Sequence, residues 1–557
     1  MRSHRLAASF ALVCVALTGC ASIPDSGSVQ RGDPAPADPV EFDILVQPPA
    51  DGATQEDILE GFISAAQSPR NNYAIAREFL TEAFADEWEA DEGATIDVLS
   101  EREIEPVDET TLRLDATPAA ELRDNGQYEE PESRAPIPFE YRFEQVDGEW
   151  RISSAPAGIV IDQVSFTGVF RPYTLYFFDP GFRYLVPDVR WYAGRESAQT
   201  SIVRSLIAGP AGWLASGVVS SFPEGVQLSP SAVTVTGEVA SVSLAGAGLG
   251  DLRTAQRIQA QLDASLIGVR SIEEVSLALN GAESDVPDLS DPTPVQNPRV
   301  DPRSVVFDGE TFGHLAASGE GIEPIADLSE QVVAIAPSDA ALGPAGESVA
   351  VRTPAGVSLL RASEEPVTLD PRANLVTPAI DGEGVVWSVP ADAPDELAWY
   401  ASDGTSAQVD VPWTGTTIAA IAVSRDSTRI VALLGDGMRT HFMAASIERD
   451  ADGKPVALSP VALRLDDVDG TPLDVAWLDE STVASLTQLP DGTTRIVSQE
   501  LGGFARRIEG PASAVAIDGG NDDPRVLTAG GDLDVRSGVG WQVRASGIRF
   551  VAAQLPD

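Results

Sequence analysis

The stretch "TIAAIAVSRDS", residues 417–427, decides the fold of the C-terminal half of this chain. An apolar, strand-like run comes first, and Asp and Ser then provide a turn. Related stretches recur about every 40 residues, each followed by two or three alternating strands, and this pattern is typical of a β-propeller. They are "QVVAIAPSDAA" (331–341), "NLVTPAIDGEG" (374–384), "PLDVAWLDES" (472–481) and "ASAVAIDGGND" (512–522).

The two ends of this half complement each other. "IRFVAAQLPD" (548–557) resembles a sixth opening strand with nothing after it, and "RSVVFDGETFGHLAASGEGIEPI" (303–325) resembles a blade without such a strand. Pairing them would close the ring and remove two exposed sheet edges. The sequence therefore predicts an all-β propeller over residues 303–557, with six blades and the first completed by the C-terminus; five or seven blades are the alternatives.

Upstream of the propeller, residues 158–290 alternate between strand and helix patterns. "YTLYFFDP" and "YLVPDVRWY" are strand-like, and "LRTAQRIQAQLDASLIG" has helical periodicity that ends at Gly268. "VTVTGEVASVSL" indicates a hairpin with Gly237 at its turn. We expect an α/β sandwich, joined to the propeller by the proline-rich linker 291–302.

Residues 51–157 predict a smaller α+β domain. "TQEDILEGFISAAQ" places apolar residues on one helical face, with Thr54 as the cap and Asp57 three residues later. "NNYAIAREFLTEAFADEWEA" continues the periodicity as a second helix. Alternating strands follow, two of them separated by the turn Asp147-Gly148. A helix-on-curved-sheet shape, as in NTF2-like domains, is the preferred interpretation.

Length and charge limit the class of protein. At about 150 residues per domain, a chain of 557 residues is expected to contain three or four domains. The formal net charge of −48 would repel a phosphate backbone, so we expect no nucleic-acid partner.

The N-terminus predicts export. Residues 1–19 carry Arg2 and Arg5 before an uncharged run, Leu6 to Leu17. Such a run rises only about 18 Å as a helix, too short for a bilayer core of about 30 Å, and is typical of a signal peptide. Two cleavage sites compete: after Ala21, with Gly19 and Ala21 as the small residues, or before Cys20. Residues 20–50, rich in Pro, Asp, Ser and Gly, have the composition of a tether.

The sequence offers little sign of catalysis. Apart from the signal peptide it contains two histidines, His314 and His441, without a second His or Cys at ligand spacing, so we expect no metal site. No catalytic or cofactor-binding motif is recognisable. Asp450 and Asp452 weakly resemble the start of a calcium loop, but a hairpin tip fits better. One or two of the nine tryptophans, if exposed, could anchor a partner.

Several of these stretches together resemble a known family. Leu17-Thr18-Gly19-Cys20 is similar to the lipobox of bacterial lipoproteins. "ILEGFISAAQSPRNNYAIAREFLTEAFADEW", "LYFFDPGFRYLVPDVRWY" and "IVRSLIAGPAGWLASGVVSSFPEGVQL" resemble the actinobacterial LpqB lipoprotein family. Residues 158–290 are similar to GerMN domains. The order of lipobox, α+β domain, GerMN domain and propeller covers essentially the whole chain.

The resemblance implies a function. The thiol of Cys20 would carry a diacylglyceryl group, with palmitate as an expected acyl chain, and cleavage would follow Gly19. The protein would be held on the extracytoplasmic face of the cell membrane. There it would bind the extracellular part of an MtrB-like sensor histidine kinase and modulate two-component signalling in cell-wall homeostasis and division. The first alternative is a lipoprotein that binds an envelope glycan or a small ligand. The second, less favoured, is a cell-wall hydrolase.

Overall fold

The computed structural model describes residues 46–194, 198–290, 292–319, 321–437 and 439–556. These residues form an N-terminal α+β domain, a central α/β domain and a C-terminal propeller, as the sequence predicted. The predicted signal peptide, with Gly19 at its end, lies outside the described residues. Cys20 and the rest of the predicted tether up to residue 45 also lie outside them. None of the helices in the described part of the chain is long and apolar enough to cross a membrane.

The N-terminal domain packs helices against two four-stranded sheets, ordered β5-β4-β1-β8 and β2-β3-β6-β7. β1 and β8 are parallel, and their paired residues Ile96 and Ile161 are both buried. β8 and the helix after it lie beyond the predicted boundary at residue 157. The elements are α1 (Gln55–Ala66), α2 (Arg70–Arg77), α3 (Glu82–Glu87), β1 (Gly93–Asp97), β2 (Glu103–Asp108), β3 (Thr111–Ala116), β4 (Pro118–Arg123), β5 (Tyr128–Glu129), β6 (Ile137–Val146), β7 (Glu149–Ser154), β8 (Ile159–Asp162) and α4 (Gln163–Val169).

Local sequence explains the start of this domain. Thr54 and Asp57 form a capping box on α1, in which each side chain accepts from the other residue's backbone N–H. The prediction of one long second helix was wrong, since α2 and α3 are separate. Between them the backbone bonds to the edge of the sheet: Thr81 N–H donates to Ile152 O over 2.9 Å. Thr81 then caps α3. The NTF2-like shape stays a prediction.

The central domain contains a two-stranded sheet and a mixed sheet of order β11-β13-β14-β15, with β12 paired to β13. Gly237, at a φ of 65°, forms the turn of the predicted β12–β13 hairpin. Its long helix contacts both sheets and buries the predicted apolar face, except for Leu252 at its exposed first position. The elements are β9 (Phe170–Phe178), β10 (Leu185–Ala193), α5 (Ala198–Ala208), β11 (Gln227–Leu228), β12 (Thr234–Thr236), β13 (Val239–Ala245), α6 (Leu252–Leu266), β14 (Glu274–Leu279) and β15 (Ala282–Ser284).

The propeller comprises six sheets in the described part of residues 305–552, each of four strands except the fourth, which has five. The elements of the first three sheets are β16 (Val305–Phe307), β17 (Phe312–Leu315), β18 (Ile322–Pro324), α7 (Ser329–Ala334), β19 (Asp339–Leu342), β20 (Ser348–Thr353), β21 (Gly356–Arg361), β22 (Val367–Asp370), β23 (Ala379–Ile380), β24 (Val386–Ser388), β25 (Ala398–Tyr400) and β26 (Ser406–Gln408).

The remaining strands complete the ring. They are β27 (Thr417–Val423), β28 (Arg429–Gly435), β29 (Thr440–Arg449), β30 (Pro455–Leu458), β31 (Leu463–Arg464), β32 (Thr471–Trp477), β33 (Thr482–Gln488), β34 (Thr494–Glu500), β35 (Ala505–Glu509), β36 (Ala514–Gly519), β37 (Pro524–Thr528), β38 (Leu533–Ser537), β39 (Gly540–Ala545) and β40 (Phe550–Ala552). The innermost strands contact one another in the circular order β40, β19, β23, β27, β32, β36 and again β40.

The C-terminal strand closes this ring, as the sequence predicted. β40 pairs antiparallel with β16, with Val306 opposite Val551, and so completes the first sheet. One predicted strand start was wrong, because Gln331–Ala334 lies in helix α7. The second sheet instead begins at Asp339, after Pro337, a residue that has no backbone N–H to donate to a ladder.

Candidate functional site

Four aromatic side chains bring the three domains together, and we call them the aromatic junction: Tyr128, Phe166, Trp191 and Phe504. Tyr128 and Phe166 belong to the N-terminal domain, Trp191 to β10, and Phe504 to the propeller loop after β34. The Phe504 ring centroid lies 4.9 Å from that of Tyr128 and 5.2 Å from that of Trp191. Aromatic pairs at these separations add to the free energy gained from burial.

Backbone contacts fix the same junction. The Trp191 indole N–H donates to Gly502 O over 2.8 Å, and its backbone N–H donates to Gly126 O over 2.7 Å. Gly502 has a φ of 88°, and a Cβ there would lie only 2.9 Å from Val189 O. The "LGGF" loop (501–504) therefore needs glycine both for its conformation and for its close approach to β10.

A charged cluster lies beside the aromatic rings, and we call it the junction cluster: Glu130, Arg134, Asp466 and Arg507. Asp466 contacts both arginines, Arg134 at 3.4 Å between Nη2 and Oδ1, and Arg507 through its other oxygen. Arg134 reaches Glu130 only at 3.9 Å. The Glu130 and Asp466 side chains are 8% and 3% exposed, so the cluster buries two carboxylates across a domain boundary.

Burial is the main influence on Glu130. Loss of water raises its pKa to about 7, and the neighbouring Asp466 raises it further, while Arg134 and Arg507 oppose the shift. Burial also raises the pKa of Asp466, again against the two arginines. A carboxyl group with a pKa near 7 changes its charge within the physiological pH range.

A second glutamate, which is half-buried, joins the central domain to the propeller. Glu480, in the β32–β33 loop, accepts from the Tyr176 hydroxyl over 2.7 Å and from Asn297 N–H over 2.8 Å. Burial raises the pKa of Glu480, and these two hydrogen bonds oppose that shift.

The predicted linker 291–302 is held against the propeller. The buried Arg425 donates to Pro298 O, Leu478 O and Gly520 O. Asn521 exchanges two hydrogen bonds with the backbone of Val300, over 2.8 and 3.0 Å. The linker therefore runs along one face of the propeller at a fixed place.

His314, His441 and Asp450 lie in or beside strands of the propeller. His441 lies between two aspartates, 3.3 Å from Asp436 and 3.5 Å from Asp467, and His314 is on β17. Asp450 forms the hairpin tip between β29 and β30, where its carboxylate accepts from Asp452 N–H and Lys454 N–H. Among the described residues, no group of three or more His, Cys, Asp or Glu could hold a metal ion.

That a tryptophan could anchor a partner stays a prediction, and the two half-buried rings are the candidates for it. All nine lie in described residues; seven are buried, and Trp150 and Trp541 are half-buried. The Trp541 indole N–H donates to Glu509 O over 3.0 Å.

The interior of the N-terminal domain is filled by aromatic side chains. Phe62 lies 4.9 Å from Trp88 and 6.2 Å from Tyr141, measured between ring centroids. A small open pocket at the strand ends includes Glu121 and Arg123, which pair with each other at 3.3 Å. Aromatic packing therefore takes up the space between Phe62, Trp88 and Tyr141 in this domain.

In the propeller, two acidic side chains between inner strands have raised pKa values. Burial raises the pKa of Asp474 to about 7 and that of Asp518 to about 6. Asp474 accepts from Val475 N–H and Ile517 N–H, both over 2.9 Å, and so links neighbouring sheets at a β-bulge.

Sequence profiles of three families match the chain in the order of its domains. "Lipoprotein LpqB, N-terminal domain" matches residues 48–167, "Sporulation and spore germination" matches 174–285, and "Lipoprotein LpqB beta-propeller domain" matches 313–548. Lipoprotein LpqB of Cutibacterium acnes is 26% identical over 517 residues, which are 86% of this chain and 85% of that protein.

The chain belongs to the LpqB lipoprotein family. Lipoprotein LpqB of Nocardia farcinica is similar to it as well, at 29% identity over 78% of this chain and 71% of that protein. Among solved structures, virginiamycin B lyase from Staphylococcus aureus is similar at 15% identity and a TM-score of 0.27, covering 37% of this chain and 69% of that one. So distant a likeness does not transfer the lyase's activity to a member of the LpqB family.

The sequence patterns did not predict which residues join the domains. Glu130 and Asp466 are 336 positions apart, and nothing in the local pattern of either relates one to the other. A signal existed in "YLVPDVRWY", because Asp188 and Arg190 are charged residues within an apolar strand. The structure pairs them through two hydrogen bonds of 2.8 and 2.9 Å, and Arg190 reaches Asn125 O of the N-terminal domain.

Proposed function

We propose that this LpqB-family protein is a lipid-anchored regulatory or scaffold protein on the extracytoplasmic face of the cell membrane. It binds the extracellular part of an MtrB-like sensor histidine kinase and modulates two-component signalling in cell-wall homeostasis and division. The match to the LpqB family along the length of the three domains carries this proposal. It is supported by the shared interfaces, through which the propeller contacts both smaller domains.

The anchor is the first part to test. Cys20 receives the diacylglyceryl group, and two acyl chains suffice for stable membrane attachment. Mass spectrometry of the N-terminal peptide from membrane-extracted protein should show a lipidated Cys20, and the C20A variant should lose both the lipid and membrane retention. An unmodified peptide that begins at Ser22 would instead support cleavage after Ala21.

The partner is the second part. The mature protein in detergent should retain the purified kinase extracellular domain in a pull-down, and deletion of the gene should change kinase output in cells. The C20A variant is the matched control: it should still bind in solution and yet fail to restore kinase output. Absence of binding together with unchanged output would refute the proposal. Thermal shift against cell-wall fragments tests the glycan alternative in the same preparation.

A further inference from the structure

We propose that the junction cluster is a pH-responsive contact, which holds the N-terminal domain on the propeller in acid and loosens it as the surroundings become alkaline. This inference concerns the chain's own domains and does not depend on the identity of its partner. It rests first on the placement of charge in the structure.

Both arginines of the cluster contact Asp466. Arg507 and Arg134 contact its two oxygens, and Gln499 Oε1 accepts from its backbone N–H over 2.8 Å. Glu130 is almost as deeply buried but meets Arg134 at the longer distance of 3.9 Å. When both carboxyl groups are ionised, the second negative charge is thus poorly compensated, and a buried charge of that kind is costly.

Glu130 faces charged groups of both signs from two domains. From the propeller it faces Asp466, Asp467 and Arg507. From its own domain it faces Arg134 and the Tyr128 hydroxyl, which donates to the Glu130 carboxylate. Burial and the acidic neighbours outweigh the arginines, so the pKa of Glu130 rises to about 7.

The direction of the pH effect follows by linkage. The pKa of Glu130 in the closed junction lies above its ordinary value of 4.5, to which it returns when the junction opens to water. The contribution to closure is therefore fully present below the ordinary value and is lost as pH rises through 7. Between pH 6 and pH 8 the closed state should weaken about tenfold relative to the open state.

Hydrogen exchange on the full mature protein tests the proposal locally. The segments 123–134 and 499–507 form the two sides of the junction. After correction for intrinsic exchange rates, their protection should fall about tenfold from pH 6 to pH 8. Protection of β28 (Arg429–Gly435), a fully buried strand of the propeller, should stay constant. Equal protection of the junction segments at both pH values would overturn the proposal without any variant.

Variants identify the titrating group. E130Q keeps the shape of the side chain but cannot ionise, so its junction should show the same protection at pH 6 and pH 8. E132Q, at an exposed position in the same loop, is the matched control and should behave as the unchanged protein. H441Q is the second control, because the His441 ring contacts Asp467, which faces Glu130. Loss of the pH effect in H441Q, or its survival in E130Q, would contradict the assignment.

A further variant guards against misfolding of E130Q. D466N removes the nearest negative charge from Glu130 and frees both arginines. The midpoint of the pH effect should then move to lower pH, since both changes favour the ionised form of Glu130. An unchanged midpoint in D466N would also overturn the proposal.

Discussion

Two half-buried glutamates, Glu130 and Glu480, connect the propeller to the rest of the chain, and their surroundings differ. Glu480 receives hydrogen bonds from Tyr176 and Asn297, one from a side chain and one from the backbone. Glu130 receives only the Tyr128 hydroxyl and lies beside Asp466, which contacts both arginines of the junction cluster. Burial raises the pKa of both groups. Donors aimed at a buried carboxylate stabilise its charge, whereas a competing carboxylate does the opposite.

The comparison suggests a division of roles between the two contacts. The contact at Glu480 lies next to the linker that Arg425 and Asn521 hold in place, so the central domain and propeller should move as one body. The contact at Glu130 depends on protonation, and the N-terminal domain is therefore the one whose attachment can vary. Three predictions test this difference, and they follow in order of expected size.

The largest effect is expected at the aromatic junction. W191A removes a buried ring shared by three domains and leaves Gly502 O without its indole donor. It should lower the free energy of unfolding by about 3–5 kcal/mol, as measured by urea denaturation. W541A is the control, because its ring is half-buried at the edge of the propeller and should cost clearly less. Equal losses would mean that the junction contributes little beyond ordinary packing.

A middle-sized effect is expected at the second glutamate. Y176F removes the hydroxyl that donates to Glu480 and should lower the free energy of unfolding by about 1–3 kcal/mol. The loss of that donor raises the pKa of Glu480 further, so stability should fall more at pH 8 than at pH 5. Thermal unfolding across this pH range measures the effect. Y173F, on the same strand, should show no such pH dependence; if it does, Glu480 is not the group responsible.

The smallest effect is expected at an exposed ion pair of the same interface. Arg183 contacts Glu383 of the propeller, but its side chain is 47% exposed. Removing it as R183A should cost at most about 1 kcal/mol at low salt. In 1 M NaCl, where the screening length is only about 3 Å, the difference should vanish in the same unfolding assay. A salt-independent loss would show that Arg183 acts through packing.

Much of the fold could be predicted from local pattern. The recurrence after "TIAAIAVSRDS" predicted the propeller, and the unpaired C-terminal strand predicted its closure with β16. The capping box at Thr54 and the hairpin turn at Gly237 also followed from short motifs, because turns and caps depend on neighbouring residues. The second helix of the N-terminal domain failed for the opposite reason, since the distant Ile152 pairs with the backbone that interrupts it.

The residues of the aromatic junction and the junction cluster could not be predicted from local pattern. Trp191 could be assigned to a buried strand, but its packing against Phe504 joins residues 313 positions apart. Glu130 is one of 85 acidic residues, and its sequence neighbours give no reason to single it out. Its chemistry comes from Asp466 and from the water that the assembled domains exclude.

By itself, the sequence determined the order of the modules, the repeat that closes into a propeller, and the resemblance that led to the LpqB family. Those features arise from periodicity, turn residues and short motifs, which are properties of neighbouring positions. Only the tertiary structure decided which acidic side chains are buried together and which receive hydrogen-bond donors. The pKa of a carboxyl group depends on burial and on the charges around it, and for Glu130 three of those charges, Asp466, Asp467 and Arg507, lie more than 300 residues away in the sequence.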